Sequence, residues 1–144
     1  VETRKNAVSL RNNMMRLVDV LMREGDTIKA EEILDLSLEK LPIDGFLHYG
    51  MTLGMPDAYY RMGEIEKARK LNDQLAEKFT QNLRYYSTFD EQLINIVFDE
   101  IKTNLLMYNQ LIQTALVFDT EEYATSAREK YKEHLDLFNN FLSE

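Results

Sequence analysis

The sequence predicts an all-α protein built as three antiparallel helical hairpins, with the last hairpin long. Three observations carry that expectation. Only five Gly and two Pro interrupt the 144 residues, while Leu, Glu, Lys, Met and Ala dominate and β-branched runs are scarce. Apolar residues recur at steps of three and four along most of the chain, the period of a helix with one buried face. A Gly followed five residues later by an Ala occurs twice between two such patterns, at a constant offset of 38.

Taken in order, Ala7, Leu10, Met14, Leu17, Val18 and Leu21 form the stripe of a first helix, from about residue 4 to Arg23. Gly25 ends it as a left-handed cap, and Asp26 is placed to accept a backbone N–H of the next helical turn. Ala30, Ile33, Leu34, Ser37, Leu38 and Leu41 make the second stripe, which Pro42 stops. After the loop Ile43-Asp44-Gly45, a third helix carries Leu53, Met55, Tyr59 and Tyr60 and ends at Met62, with Gly50, Gly54 and Pro56 blurring its start. Gly63 repeats the turn. Ala68, Leu71, Leu75 and Phe79 then mark a fourth helix that frays near Leu83, leaving "LRYYS" as a connector. Thr88 with Glu91 reads as a capping box opening one helix of about 30 residues, roughly 45 Å long. Its apolar surface is wider than one stripe, which requires cover from more than one side. Asp119 with Glu122 reads as the cap of the last helix, whose stripe is Tyr123, Ala127, Tyr131, His134, Phe138 and Phe141.

At 144 residues the chain suits a single domain, 1–144, large enough to bury a core. It has no Cys, which excludes disulfides, thiol nucleophiles and thiolate metal sites. The formal net charge of -8 repels phosphate backbones and anionic lipid surfaces, and the densest basic run, Arg4-Lys5, is too short to reverse that, so no nucleic-acid partner is expected. The longest uncharged stretch, Thr103 to Phe118, contains Asn104, Asn109, Gln110 and Gln113 and reads as a buried helix rather than a membrane span. The start at Val1, without a signal-peptide pattern, suggests a piece of a longer protein.

Set against each other, "LMREGDTIKAEEIL" (21–34) and "YYRMGEIEKARKLN" (59–72) align Gly25 with Gly63, Lys29 with Lys67, Ala30 with Ala68 and Ile33 with Leu71. The Gly permits a sharp reversal, and the Ala lets two helices approach closely. These residues, with Leu21, Tyr59 and Pro42, resemble the tetratricopeptide repeat. The resemblance covers residues 10–83 as two units and implies a right-handed superhelix, with 87–143 as a long capping hairpin. The family's usual spacing is about 34 residues, and Asn72 stands where an apolar residue is expected. "MPDAYYRMGEIEKA" followed by "LRYY" is also similar to the soluble C-terminal region of bacterial multi-spanning membrane proteins similar to protein O-mannosyltransferases. That resemblance implies a membrane-tethered, extracytoplasmic (periplasmic) helical domain serving a glycosyltransferase-like protein. The family's catalytic acids would lie in the membrane part, so none is carried onto this chain.

Asp19 and Arg23 at i, i+4 recur as Asp57 and Arg61 at the same offset of 38. With Met15, Met22 and Tyr60 they define a candidate polar groove with Met and Tyr anchors for an extended partner segment. The plainer reading is two intrahelical pairs on a solvated face, each worth about 0.2–0.5 kcal/mol. The adjacent pairs Tyr59-Tyr60 and Tyr85-Tyr86 suggest a sugar-stacking surface, against which stands ordinary packing of one ring of each pair. His48 and His134 belong to no metal-binding helical pattern, and His134 falls on an apolar stripe as a hydrogen-bonded packing residue. Asp90-Glu91, Asp99-Glu100 and Glu121-Glu122 include positions suited to capping. No phosphate loop or nucleophile elbow is present, so neither a cofactor nor catalysis by this chain is expected. The function expected is a protein interaction or scaffolding module. The alternatives are a structural domain packing on its parent's membrane region and an accessory glycan-binding surface.

Overall fold

The computed structural model of the chain describes residues 2–45 and 49–142, and the regular structure among them is entirely helical. The α-helices are α1 (Glu2–Glu24), α2 (Thr27–Lys40), α3 (Gly54–Met62), α4 (Ile65–Tyr86), α5 (Glu91–Ile96), α6 (Phe98–Phe118), α7 (Glu121–Asp136) and α8 (Asn139–Leu142), with 3-10 turns at Ile43–Gly45 and Tyr49–Met51. The chain divides into two compact units, Val1–Ala68 and Arg69–Glu144.

In the first unit α1 and α2 form an antiparallel hairpin. Gly25 adopts φ +80°, its N–H bonds the carbonyl of Met22 at 3.2 Å, and the N–H of Asp26 bonds that of Leu21 at 2.9 Å. These two bonds make a Schellman motif, which needs a residue that enters the left-handed region without strain. Asp26 then caps α2 by accepting the N–H of Lys29 at 3.2 Å. Gly63 repeats the motif at φ +84°, with Gly63 N bonded to the Tyr60 carbonyl at 3.0 Å and Glu64 N to that of Tyr59 at 2.9 Å. Ala30 and Ala68, five residues beyond each Gly, are both fully buried, as close helix approach requires.

The contact face of α1 is rotated from the expected stripe. Leu10 and Leu17 are 49% and 43% exposed, whereas Arg11 is buried between Ala7 and Val18. The Arg11 stem takes up the apolar face, and its Nη2 donates to the carbonyl of Leu41, the C-cap residue of α2, where helical carbonyls lack intrahelical donors. Burial lowers the Arg11 pKa from its ordinary value. A polar network ties α2 to α3 and the first turn of α4. The Tyr59 hydroxyl donates to Asp35 at 2.5 Å, and Lys67 Nζ reaches Glu31 at 2.5 Å and Asp35 at 2.6 Å.

In the second unit Phe79 packs near Tyr108 (centroids 6.2 Å apart) and Asn82 Nδ2 donates to Asn104 Oδ1 at 3.0 Å, which sets α4 antiparallel to α6. Leu75, Phe79, Leu83, Ile101, Leu111, Ile112 and Phe138 supply the buried apolar mass. Three expected boundaries are corrected. The "LRYY" segment is the last turn of α4, not a connector: the hydroxyls of Ser87 and Thr88 bond the carbonyls of Arg84 and Tyr85 at 2.7 and 2.8 Å and finish that helix. With Thr88 so engaged, Asp90 caps the next helix by accepting Leu93 N–H at 2.9 Å. The expected single long helix breaks at Val97 (φ -99°, ψ 17°), inside the β-branched cluster Ile94, Ile96 and Val97 that helices accommodate poorly. On either side of the break Ile94 and Ile101 are buried, while Ile96 is exposed. Thr120, not Asp119, caps α7 by accepting Tyr123 N–H at 3.3 Å, because the Asp119 carboxylate is held by Arg69. The last stripe is also interrupted, since α7 stops at Asp136 and α8 carries Phe141.

Candidate functional site

The residues expected to form a groove lie on α1 and α3. Asp19 and Arg23 are exposed on α1, with Met15 and Met22 half-buried. On α3 the expected pair forms, Arg61 Nε lying 2.8 Å from Asp57 Oδ2, whereas the described contacts include no ion pair between Asp19 and Arg23. Tyr60, expected to point outward, is 5% exposed. The short α3 buries Met55, Ala58, Tyr59 and Tyr60 together, more than one stripe, so both rings of that tyrosine pair are packed. Tyr85 is the exposed member of the second pair, edge-on to Phe89 with centroids 4.9 Å apart. His48 lies outside the described residues.

A concave site is found instead within the second unit, a partly open cleft of about 550 Å³ with α4 and α7 as walls and α6 as floor. On α4, Asn72, Asp73, Ala76, Glu77, Thr80 and Arg84 follow the helical period and present one stripe to it. Twelve residues of helix separate the ends of that stripe, so the cleft is roughly 18 Å long. Tyr108 and Ile112 of α6 form the floor, and α7 contributes Tyr123, Ser126, Ala127, Lys130, Glu133 and His134. The opening has a simple cause: Ala76 on one wall and Ser126 and Ala127 on the other have short side chains and leave the space between the helices unfilled.

One end of the cleft is closed by polar contacts. Arg69 grips Asp119 through Nε at 3.0 Å and Nη2 at 2.6 Å, and the Asp119 side chain is fully buried. The Arg69 guanidinium also lies over the Tyr123 ring, 5.1 Å from its centroid. The Tyr123 hydroxyl donates to Asp73 Oδ1 at 2.7 Å and accepts from Asn72 Nδ2 at 3.3 Å. Asn72 is 1% exposed, and its Oδ1 has no hydrogen-bond partner. A buried acceptor left unmet costs about 1–3 kcal/mol, and Ser37 Oγ in the first unit is buried in the same way.

The field in the cleft is negative at the floor. Burial raises the Tyr108 hydroxyl pKa, a hydrogen bond with Thr80 partly offsets this, and the charges of Glu77, Asp73 and Glu133 raise it further. Burial likewise raises the Tyr123 pKa, with Asp73 adding to the effect. At the other end, His134 is buried with Nδ1 2.7 Å from the Lys130 carbonyl and its ring 6.3 Å from that of Tyr108. This agrees with the packing role expected for His134 and adds that it lines the cleft. Tyrosines held neutral by burial are poor bases, and no described contact joins Ser126 or Thr80 to His134. The cleft offers hydrogen-bonding groups and aromatic faces.

None of the cleft residues was singled out as a site by sequence reasoning, but one signal pointed there. In the repeat Asn72 aligns with Leu34 at the offset of 38, and both are buried, so a polar amide occupies an apolar position. Among the described residues no group of His, Asp or Glu is arranged to hold a metal ion, and no helix is long and apolar enough to cross a membrane. Comparison with family models, curated proteins and solved structures finds no significant match.

Proposed function

We propose that the chain is a non-catalytic interaction and scaffolding module of tetratricopeptide-like hairpins, and that the cleft walled by α4 and α7 seats an extended segment of a partner protein. The observation that carries this reading is the cleft itself, about 550 Å³ with a tyrosine floor and a buried amide carbonyl lacking a donor. That volume lies within the range of about 300–1,000 Å³ typical of ligand sites. The superhelical arrangement is supported by the two Schellman turns at Gly25 and Gly63, which repeat bond for bond. Attachment to a membrane-bound glycosyltransferase-like protein on its extracytoplasmic side rests on the sequence resemblance alone. A structural role against the parent protein is favoured by a different feature: Leu10, Leu17 and Val20 are exposed together along α1.

The test is selection of binders from a displayed peptide library with the whole chain, followed by calorimetry on variants. Ala127→Trp fills the cleft and is expected to weaken the selected peptides by at least about tenfold with the melting temperature unchanged. Loss with Arg23→Glu and Arg61→Glu instead would place the partner surface on α1 and α3. Failure to select any peptide would overturn the reading.

A further inference from the structure

We infer that the cleft selects a lysine side chain of the bound segment and seats its ammonium group among Asn72, Asp73 and Glu77. This rests on the reading of the cleft as a peptide site and goes beyond it by naming what is recognised. At the closed end α4 carries three acceptors on two consecutive turns: the Asn72 carbonyl, which is buried and has no donor, the Asp73 carboxylate beside it, and the Glu77 carboxylate one turn on. Asp73 accepts only the Tyr123 hydroxyl, and Glu77 accepts the Gln81 amide at 3.2 Å, so among the described contacts neither carboxylate is matched by a cation. Arg69 lies close by, but its charge is balanced by the buried Asp119 it grips.

The chemistry favours an alkylammonium over a guanidinium. An ammonium carries three donors on a compact centre and can meet three separate acceptors, whereas a guanidinium is planar and needs coplanar pairs. A flexible four-carbon stem suits the apolar path along Ala76, Ile112 and the Tyr108 ring, whose face also attracts cations. The cationic groups of the cleft lie farther along it. Arg84 is eleven residues beyond Asp73, roughly 17 Å along the helix axis. Lys130 lies two turns beyond Tyr123 on α7, followed by Glu133, which restores a negative charge. The potential at the Tyr108 hydroxyl, set by Glu77, Asp73 and Glu133, has the sign that an entering cation requires.

The experiment uses the whole chain and fluorescein-labelled hexapeptides of alanine and leucine carrying one central lysine, arginine, norleucine or glutamate, read by anisotropy. The lysine peptide is expected to bind at least about tenfold more tightly than the norleucine peptide, the scale of a charge-assisted hydrogen bond. Asp73→Asn with Glu77→Gln should erase that preference, and Asn72→Leu should reduce it, with circular dichroism confirming that each variant is folded. If all four peptides bind equally and Ala127→Trp still abolishes binding, the cleft holds peptides without selecting lysine and the inference is overturned. Binding unchanged by Ala127→Trp would overturn the cleft reading itself. Displacement of the lysine peptide by an equimolar amount of cadaverine would show that the site takes a free amine, which overturns recognition of a partner's side chain.

Discussion

Leu34 and Asn72 stand at the same place in the repeat, 38 residues apart, and the two regions around them are finished differently. Around Leu34 the first unit joins Lys67, Glu31, Asp35 and Tyr59 in one polar network and Arg11 serves the end of α2, although Ser37 Oγ, three residues along α2, is buried without a hydrogen-bond partner. Around Asn72 the second unit leaves a carbonyl without a donor beside an unfilled cleft. The same local backbone thus supports a closed structural contact in one region and an open recognition surface in the other. Among the differences are the amide at one core position and the short Ala76 where the first unit has Leu38.

The comparison can be broken most forcefully with alkali. Tyr59 in the first unit and Tyr108, Tyr123 and Tyr131 in the second all have pKa values raised chiefly by burial. Above about pH 10 the unfolded chain loses tyrosine protons that the folded chain keeps, so stability falls by up to about 1.4 kcal/mol per pH unit for each such group. Below that pH the contribution is fully present. Urea melts recorded at stepwise higher pH should show a steep decline, and Tyr59→Phe should flatten only the part belonging to the first unit. A stability independent of pH up to 12 would contradict the burial of these rings.

Next in size is the clasp at the head of the cleft. Arg69→Met leaves the buried Asp119 carboxylate without its main partner and is expected to cost about 3–5 kcal/mol in denaturant unfolding. The repeat positions come third. Leu34→Asn should destabilise by about 2–4 kcal/mol, because it removes buried apolar volume and adds an unmet amide. Asn72→Leu should be neutral or stabilising by about 1 kcal/mol while it impairs the cleft. Equal losses at both positions would mean that Asn72 is an ordinary structural residue. The smallest effect is expected at the turns: Gly25→Ala and Gly63→Ala should each cost about 1–2 kcal/mol, and by similar amounts. Nothing lies within 4 Å of a Cβ at either site, so backbone strain alone is measured.

Much of the helical framework was legible because its signals are local. Gly25 and Gly63 marked both reversals, Asp26 marked its cap, and the period of α2 named Ala30, Leu34 and Ser37, all buried. The errors came where two local signals competed for one residue. Thr88 can open a helix or finish the one before it, and Asp119 can cap α7 or pair with Arg69; in both cases the outcome depends on what else is within reach. Tyr60 and Leu10 were misjudged for a related reason. A helical stripe gives the spacing of a buried face but not which rotation of the helix a neighbour selects, and Arg11 shifted that choice by one residue.

The sequence by itself therefore determined the all-helical class, the two glycine turns and the anomaly at Asn72, since each follows from the period, the left-handed φ or a mismatch within a repeat. Only the tertiary structure decided that Asn72, Asp73 and Glu77 of α4 face Tyr108 and Tyr123 across a cleft. A cleft is made by side chains that are too short to meet, and Ala76 and Ala127 are 51 residues apart in the chain, so no local pattern could pair them.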